Sequence, residues 1–208
     1  MKKTVVLVGL GKSGLGEALI RQFHHEGFQI ILLGRNESQL NKQIQTLKGI
    51  EIKYHIADLL DPGSISEAFA SITKIDVLIY NAVARRIENA KNLTREQVEN
   101  DFSITVGGAI SCVREAIPKM KEHSAILVTG GGVALTPSVQ NASMSLSKAA
   151  LRNYVFSLGA ELQEQGLFVG IITIQQSIKE ATNYSPEKLA ALYWNLYKNQ
   201  PNQQEIIY

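Results

Sequence analysis

The chain has 208 residues, 45% of them hydrophobic and 19% charged, with a net charge of +2. That length suits one domain with its own core, which buries roughly 70% of the unfolded surface. Scattered Lys and Arg argue against a nucleic-acid or anionic-membrane surface, the lone Cys112 rules out an internal disulfide framework, and no apolar run reaches the ~20 residues of a bilayer span.

The start, Met1-Lys2-Lys3, sets two basic residues before an apolar run. Glycines at 9, 11, 14 and 16 interrupt that run, so we expect no secretory leader and a cytoplasmic protein. Thr4–Val8 is a short β-rich run, as in a strand buried on both faces. Gly14–Glu26 reads as a helix with Leu15, Leu19 and Phe23 along one face, stopped by Gly27. Phe28–Leu33 is a second strand. Asn36 then caps a helix, with Gln39 completing a capping box.

Glu51–Ile56 is a third strand, and Asp61-Pro62 starts the next helix with a cap and a first-position proline. Ile75–Tyr80 is a fourth strand. Thr94 and Gln97 form a capping box for a helix from about Arg95 to Met120, whose Gly107-Gly108 implies close packing. Ala125–Val128, a long helix over Ala142–Gln165, a strand over Phe168–Ile174 and a last helix starting at Ser185-Pro186-Glu187 complete the pattern. Cys112 falls within buried helix. The alternation predicts an α/β fold over residues 1–208: a single Rossmann domain with a doubly wound, mainly parallel sheet in three layers.

Gly9-Leu10-Gly11-Lys12-Ser13-Gly14 fits G-x-G-x-x-G between a strand and a helix. Glycines there allow a tight turn close to a pyrophosphate, and the helix start offers free N–H groups to phosphates. A Walker loop is ruled out because Val6 stands where its first glycine belongs. Beyond the second strand the first charged group is Arg35, where an NAD site places an acid. A guanidinium pairs with a 2′-phosphate, and Lys12 adds charge, so the expected cofactor is NADP(H) rather than NAD(H).

The chain now resembles the short-chain dehydrogenase/reductase family over nearly its full length. Asp58-Leu59 is similar to the family's adenine-contacting Asp and its neighbour. Asn81-Ala82 resembles the end of its Asn-Asn-Ala-Gly motif, with Val83 in place of the glycine. Ser147-Lys148-Ala149-Ala150-Leu151 resembles the segment that carries its lysine. The resemblance and the glycine turn together imply cofactor contacts from Gly9, Gly11, Lys12, Ser13, Gly14, Leu15, Arg35, Asn36, Asp58, Leu59, Asn81, Ala82, Val83 and Lys148, the last also catalytic.

Three departures follow from the same alignment. The turn has one residue more than the family's T-G-x-x-x-G-x-G between its first two glycines. Met144 stands four residues before Lys148, where the family has its proton-exchanging Tyr, and Gly131 stands in place of its Ser. Thr105 falls at the position of its helix Asn. From Gln175 onward the chain is shorter than the family's substrate-covering segment. Thr129 is a candidate to hydrogen-bond a substrate carbonyl. His24, His25, His55 and His123 fall in predicted helix or strand segments away from the strand C-termini where ligands collect, and no His/Cys/carboxylate cluster has metal-ligand spacing. Two readings stay open: an oxidoreductase with non-standard proton delivery toward a small molecule, or a catalytically silent NADP(H)-binding sensor or scaffold acting through a protein partner. Leu151, Tyr154, Val155 and Leu158 on the long helix suggest a homo-oligomer, as the family often forms.

Overall fold

Thr4–Val8 (β1) is apolar or β-branched throughout, and every residue in it is buried. Such a strand must be covered on both faces. In the computed structural model, which describes residues 2–208, β1 is an inner strand of a seven-stranded sheet. Met1, the first residue of the basic start, lies outside the described residues.

The other strands are β2 (Gln29–Gly34), β3 (Ile52–Ile56), β4 (Val77–Tyr80), β5 (Ala125–Thr129), β6 (Phe168–Thr173) and β7 (Glu205–Ile207). Their order is β3-β2-β1-β4-β5-β6-β7, and every pairing is parallel. The chain winds outward from β1 to β3, then returns to the other side of β1 with β4. That reversal opens a crevice at the carboxyl ends of β1 and β4, where doubly wound sheets take ligands. Register puts one rim together: Val8 pairs with Leu33 and Tyr80, and Tyr80 with Val128. Gly9, Asn81 and Thr129 therefore emerge side by side.

The helices are α1 (Leu15–His25), α2 (Glu37–Gln45), α3 (Pro62–Ala70), α4 (Arg95–Phe102), α5 (Gly108–Ala116), α6 (Ala142–Leu162) and α7 (Pro186–Asn199). Strand alternation splits the core in two. Val6, Val8, Leu78, Ile126 and Val128 pack with α3, α5 and α6. Val5, Leu7, Val77, Ile79 and Leu127 pack with α1 and α7. The three layers follow from that split.

Local signals place most boundaries. Asp61 caps α3 with Pro62 in its first turn, Ser185 caps α7 with Pro186, and Thr94 and Gln97 form a reciprocal box at α4. At α2 only the Asn36 half of the anticipated box forms. The helix expected from Arg95 to Met120 is broken by a π turn, Ser103–Gly107, and ends in a 3₁₀ turn, Ile117–Lys119. The π turn is met from across the core. The buried Tyr80 hydroxyl donates to the Ile104 carbonyl, a bond no helix pattern foretells. A Cβ on Gly108 would stand 2.7 Å from that hydroxyl, so close packing holds at Gly108, while Gly107 has nothing within 4 Å. The strand β7 was not anticipated. Three residues carry no period, and pairing with β6 is what makes them a strand.

Candidate active site

The glycine turn is built as its spacing implies. Gly9, Gly11 and Gly14 have φ of 83°, 76° and 80°, a region open to glycine and strained for other residues. A Cβ on Gly9 would stand 2.9 Å from Ala82 Cα, and one on Gly16 would overlap the Leu10 carbonyl oxygen. Left-handed glycines and close backbone contact thus shape the turn. Gly14 caps α1 with no side-chain bond, which leaves the first N–H groups of that helix open.

Beside the turn lies a cleft of about 450 Å³. Among the expected residues, Gly9, Arg35, Asp58, Leu59, Ala82 and Val83 line it. Gly11, Lys12, Ser13, Gly14 and Leu15 do not, nor do Asn36, Asn81 and Lys148. Lys12 is exposed, Leu15 points into the core, and Asn36 Oδ1 accepts from the Gln39 amide as the cap of α2. Asp58 accepts from Leu60 N at 3.0 Å.

The cleft also takes Arg85, Arg86, Asn100 and Asp101, which the sequence reading passed over. Arg85-Arg86, just beyond Asn81-Ala82-Val83, was the signal available. Arg86 holds Asp101 through two bonds of 2.7 and 3.1 Å, and Ser143 on α6 donates to the same carboxylate at 2.9 Å. Burial pushes the Asp101 carboxyl up, but the Arg86, Ser143 and Asn100 bonds outweigh it and hold it below the usual range. Arg35 and Arg85 make no ion pair among the described residues.

Lys148 is buried on α6, and its ammonium donates to the Thr129 carbonyl at the end of β5. Burial, aided by the charge of Arg85, lowers its pKa from 10.5 to about 7. A side chain at Gly131 would start 4.0 Å from Lys148 Cγ, with no backbone strain because φ there is −164°. Met144 lies one turn earlier and is half-buried. The neighbouring hydroxyls are engaged: Ser143 donates to Asp101, Ser145 to the Asn141 carbonyl and Ser147 to the Ser143 carbonyl. Thr129 is engaged too, donating its proton to Asn81 Oδ1, which corrects its candidacy as a substrate-carbonyl donor. The fully buried Thr105 accepts from Ala84 N at 3.1 Å. Cys112 is fully buried, which pushes its thiol up to about 12 and leaves it unreactive. No group of three or more metal-ligating side chains occurs among the described residues.

Known proteins resemble the chain along its length. The oxidoreductase asL5 of Sarocladium schorii is 26% identical over 176 residues, 82% of this chain and 70% of its own. An uncharacterized oxidoreductase of Staphylococcus epidermidis is 25% identical over 197 residues, 90% of this chain and 85% of its own. Among solved structures, a short-chain dehydrogenase/reductase from Brucella melitensis has a TM-score of 0.87 over 100% of this chain and 96% of its own, at 21% identity. The crystal structure of BdcA in complex with NADPH has a TM-score of 0.84, 18% identity, and coverage of 99% and 91%. These structural likenesses bear on the fold alone. The family model described as short chain dehydrogenase matches residues 3–189, from β1 into α7. With the parallel sheet and the glycine turn in place, the chain belongs to the short-chain dehydrogenase family.

Proposed function

We propose that the chain is an NADP(H)-binding oxidoreductase in which Lys148 manages the proton. The cleft at the switch point carries this reading. Its wall beyond β2 holds Arg35 and no acid, where a 2′-hydroxyl would call for a carboxylate. Its size falls in the range of small-molecule sites, ~300–1,000 Å³. The open glycine turn and the start of α1, which no side chain caps, suit a pyrophosphate, and Asp58, Leu59, Ala82 and Val83 suit an adenosine. Lys12 adds positive charge from the exposed side of the turn.

The dinucleotide, when bound, supplies or accepts a hydride. The chain's part is then to exchange a proton with the substrate oxygen. Lys148 suits that task because the nearby hydroxyls are already engaged and Met144 has no proton to give. One of its three N–H donors goes to the Thr129 carbonyl. A pKa near 7 lets the amine both give and take a proton near neutrality. A second reading, a silent NADP(H)-binding sensor, is favoured by the depth of Lys148, which does not line the cleft.

Titration with NADPH and NADH, followed by cofactor fluorescence, tests the binding. NADPH is expected to bind tighter. Arg35→Ala is expected to weaken NADPH about 10–100-fold, the worth of one charge-assisted bond, and to leave NADH unchanged. Tighter NADH binding in the parent protein would sink the phosphate assignment. A screen of NADPH oxidation over aldehydes, ketones and quinones, run beside Lys148→Ala, separates the readings. Turnover lost in the variant supports the enzyme; binding without turnover supports the sensor.

A further inference from the structure

A buried chain of polar groups runs from α7 to the glycine turn. Asn81 Nδ2 donates to the Gly9 carbonyl at 2.9 Å. That bond sets the amide's orientation and leaves Oδ1 as the acceptor, which takes the Thr129 hydroxyl proton at 2.9 Å. A hydroxyl has one proton. The 2.6 Å contact between Thr129 Oγ1 and Tyr193 must therefore be donated by the phenol. Tyr193 is fully buried, and burial pushes its ionisation well above the ordinary phenol value, with the Thr129 bond opposing in part. The phenol thus stays a donor at any working pH.

We propose that Tyr193 is a positioning residue: through Thr129 and Asn81 it orients the Gly9–Leu10 peptide of the turn, so that α7 sets the turn's grip on a dinucleotide. This rests on the reading of the turn as an NADP(H) site. The peptide is planar, so holding the Gly9 carbonyl also fixes the direction of the Leu10 N–H. The Gly9 N–H is held from the other side by the Leu33 carbonyl at 2.9 Å. The same helix also meets the far end of the turn, where Pro186 Cγ stands 3.0 Å from a Cβ built on Gly14. A turn one residue longer than usual has more freedom to lose on ordering. Bracing at Gly9 and Gly14 from a single helix removes that freedom in advance.

The test is Tyr193→Phe, which keeps the buried ring and removes only the hydroxyl, beside Thr129→Val and Thr129→Ser. Two quantities are read: NADPH affinity, and hydrogen exchange of the Gly9 and Leu10 amides in the ligand-free protein. Tyr193→Phe is expected to weaken NADPH by about 2–10-fold, the worth of one neutral hydrogen bond, and to speed exchange at those amides. Thr129→Val is expected to do more, and Thr129→Ser to retain parent behaviour. A folded Tyr193→Phe with a lower melting temperature but unchanged affinity and exchange would mean plain core packing and overturn the proposal. If the parent protein binds no NADPH while exchange still quickens in Tyr193→Phe, the cofactor reading fails and the brace stands.

Discussion

Lys148 presents the sharpest residue-scale conflict, a cation-forming group with almost no access to water. Its lowered pKa has a defined sign. Between about 7 and 10.5 the unfolded chain holds the proton more often than the folded one, so this group's contribution to stability rises as pH climbs through that window. Lys148→Met is expected to flatten that slope in denaturant titrations at pH 7 and pH 10. If Lys148 also donates the proton, carbonyl reduction falls as pH rises through about 7, and alcohol oxidation rises over the same range. Lys148→Arg keeps a charge but cannot deprotonate, so the pH–rate profile loses this step. Lys148 was legible through its segment, Ser147 to Leu151. Tyr193 was not, because nothing near residue 193 in the chain shows that its hydroxyl meets a strand end at residue 129.

At the scale of elements, the same contrast separates helices from the last strand. Capped helices declare themselves, since Asp61-Pro62, Thr94 with Gln97, and Ser185-Pro186 satisfy their own backbone donors locally. The short β7 has no such signal and is held by a distant clamp. Arg152 on α6 grips Glu205 with bonds of 2.8 and 2.6 Å, and Thr173 on β6 donates to the same carboxylate at 2.6 Å. The Arg152 bond, against burial and with help from Thr173, holds the Glu205 carboxyl below its usual range. Removing one partner of a buried pair costs about 3–5 kcal/mol, and Arg152 is partly exposed, so Glu205→Ala is expected near the lower end by urea denaturation. Because the carboxyl's folded pKa is depressed, its stabilisation is fully present above the ordinary carboxylate range and is lost as pH falls below that range and through the depressed folded value. Glu205→Gln is expected to remove this acid sensitivity while keeping part of the packing.

For the molecule as a whole, most of the apolar surface anticipated for self-association is taken up by the core. Of the four anticipated side chains, Leu151, Val155 and Leu158 are buried in the core against the sheet, while Tyr154 packs against that core and is only partly buried. Exposed large apolar side chains on the helices of this layer include Phe102 of α4 at 39% exposure, Ile110 of α5 at 37% and Leu146 of α6 at 54%. We still expect a homo-oligomer, now resting on those three. Light scattering on a sizing column is expected to give a mass above one chain, and Leu146→Glu to shift it toward the monomer. A monomeric parent protein would end the idea. No helix among the described residues is long and apolar enough to cross a membrane.

What the amino-acid sequence determined alone was the alternation of strands and helices, most helix starts and the glycine turn. Each depends on contacts within a few residues: a cap, a period, a φ that glycine accepts. Tertiary structure decided the rest. Tyr80 bonds the π turn at Ser103–Gly107, Arg152 clamps the strand that pairing with β6 forms, and Tyr193 braces Gly9. These bonds join residues 24, 53 and 64 positions apart in the chain. A sheet that brings its strand ends to one rim is what turns such distances into contacts.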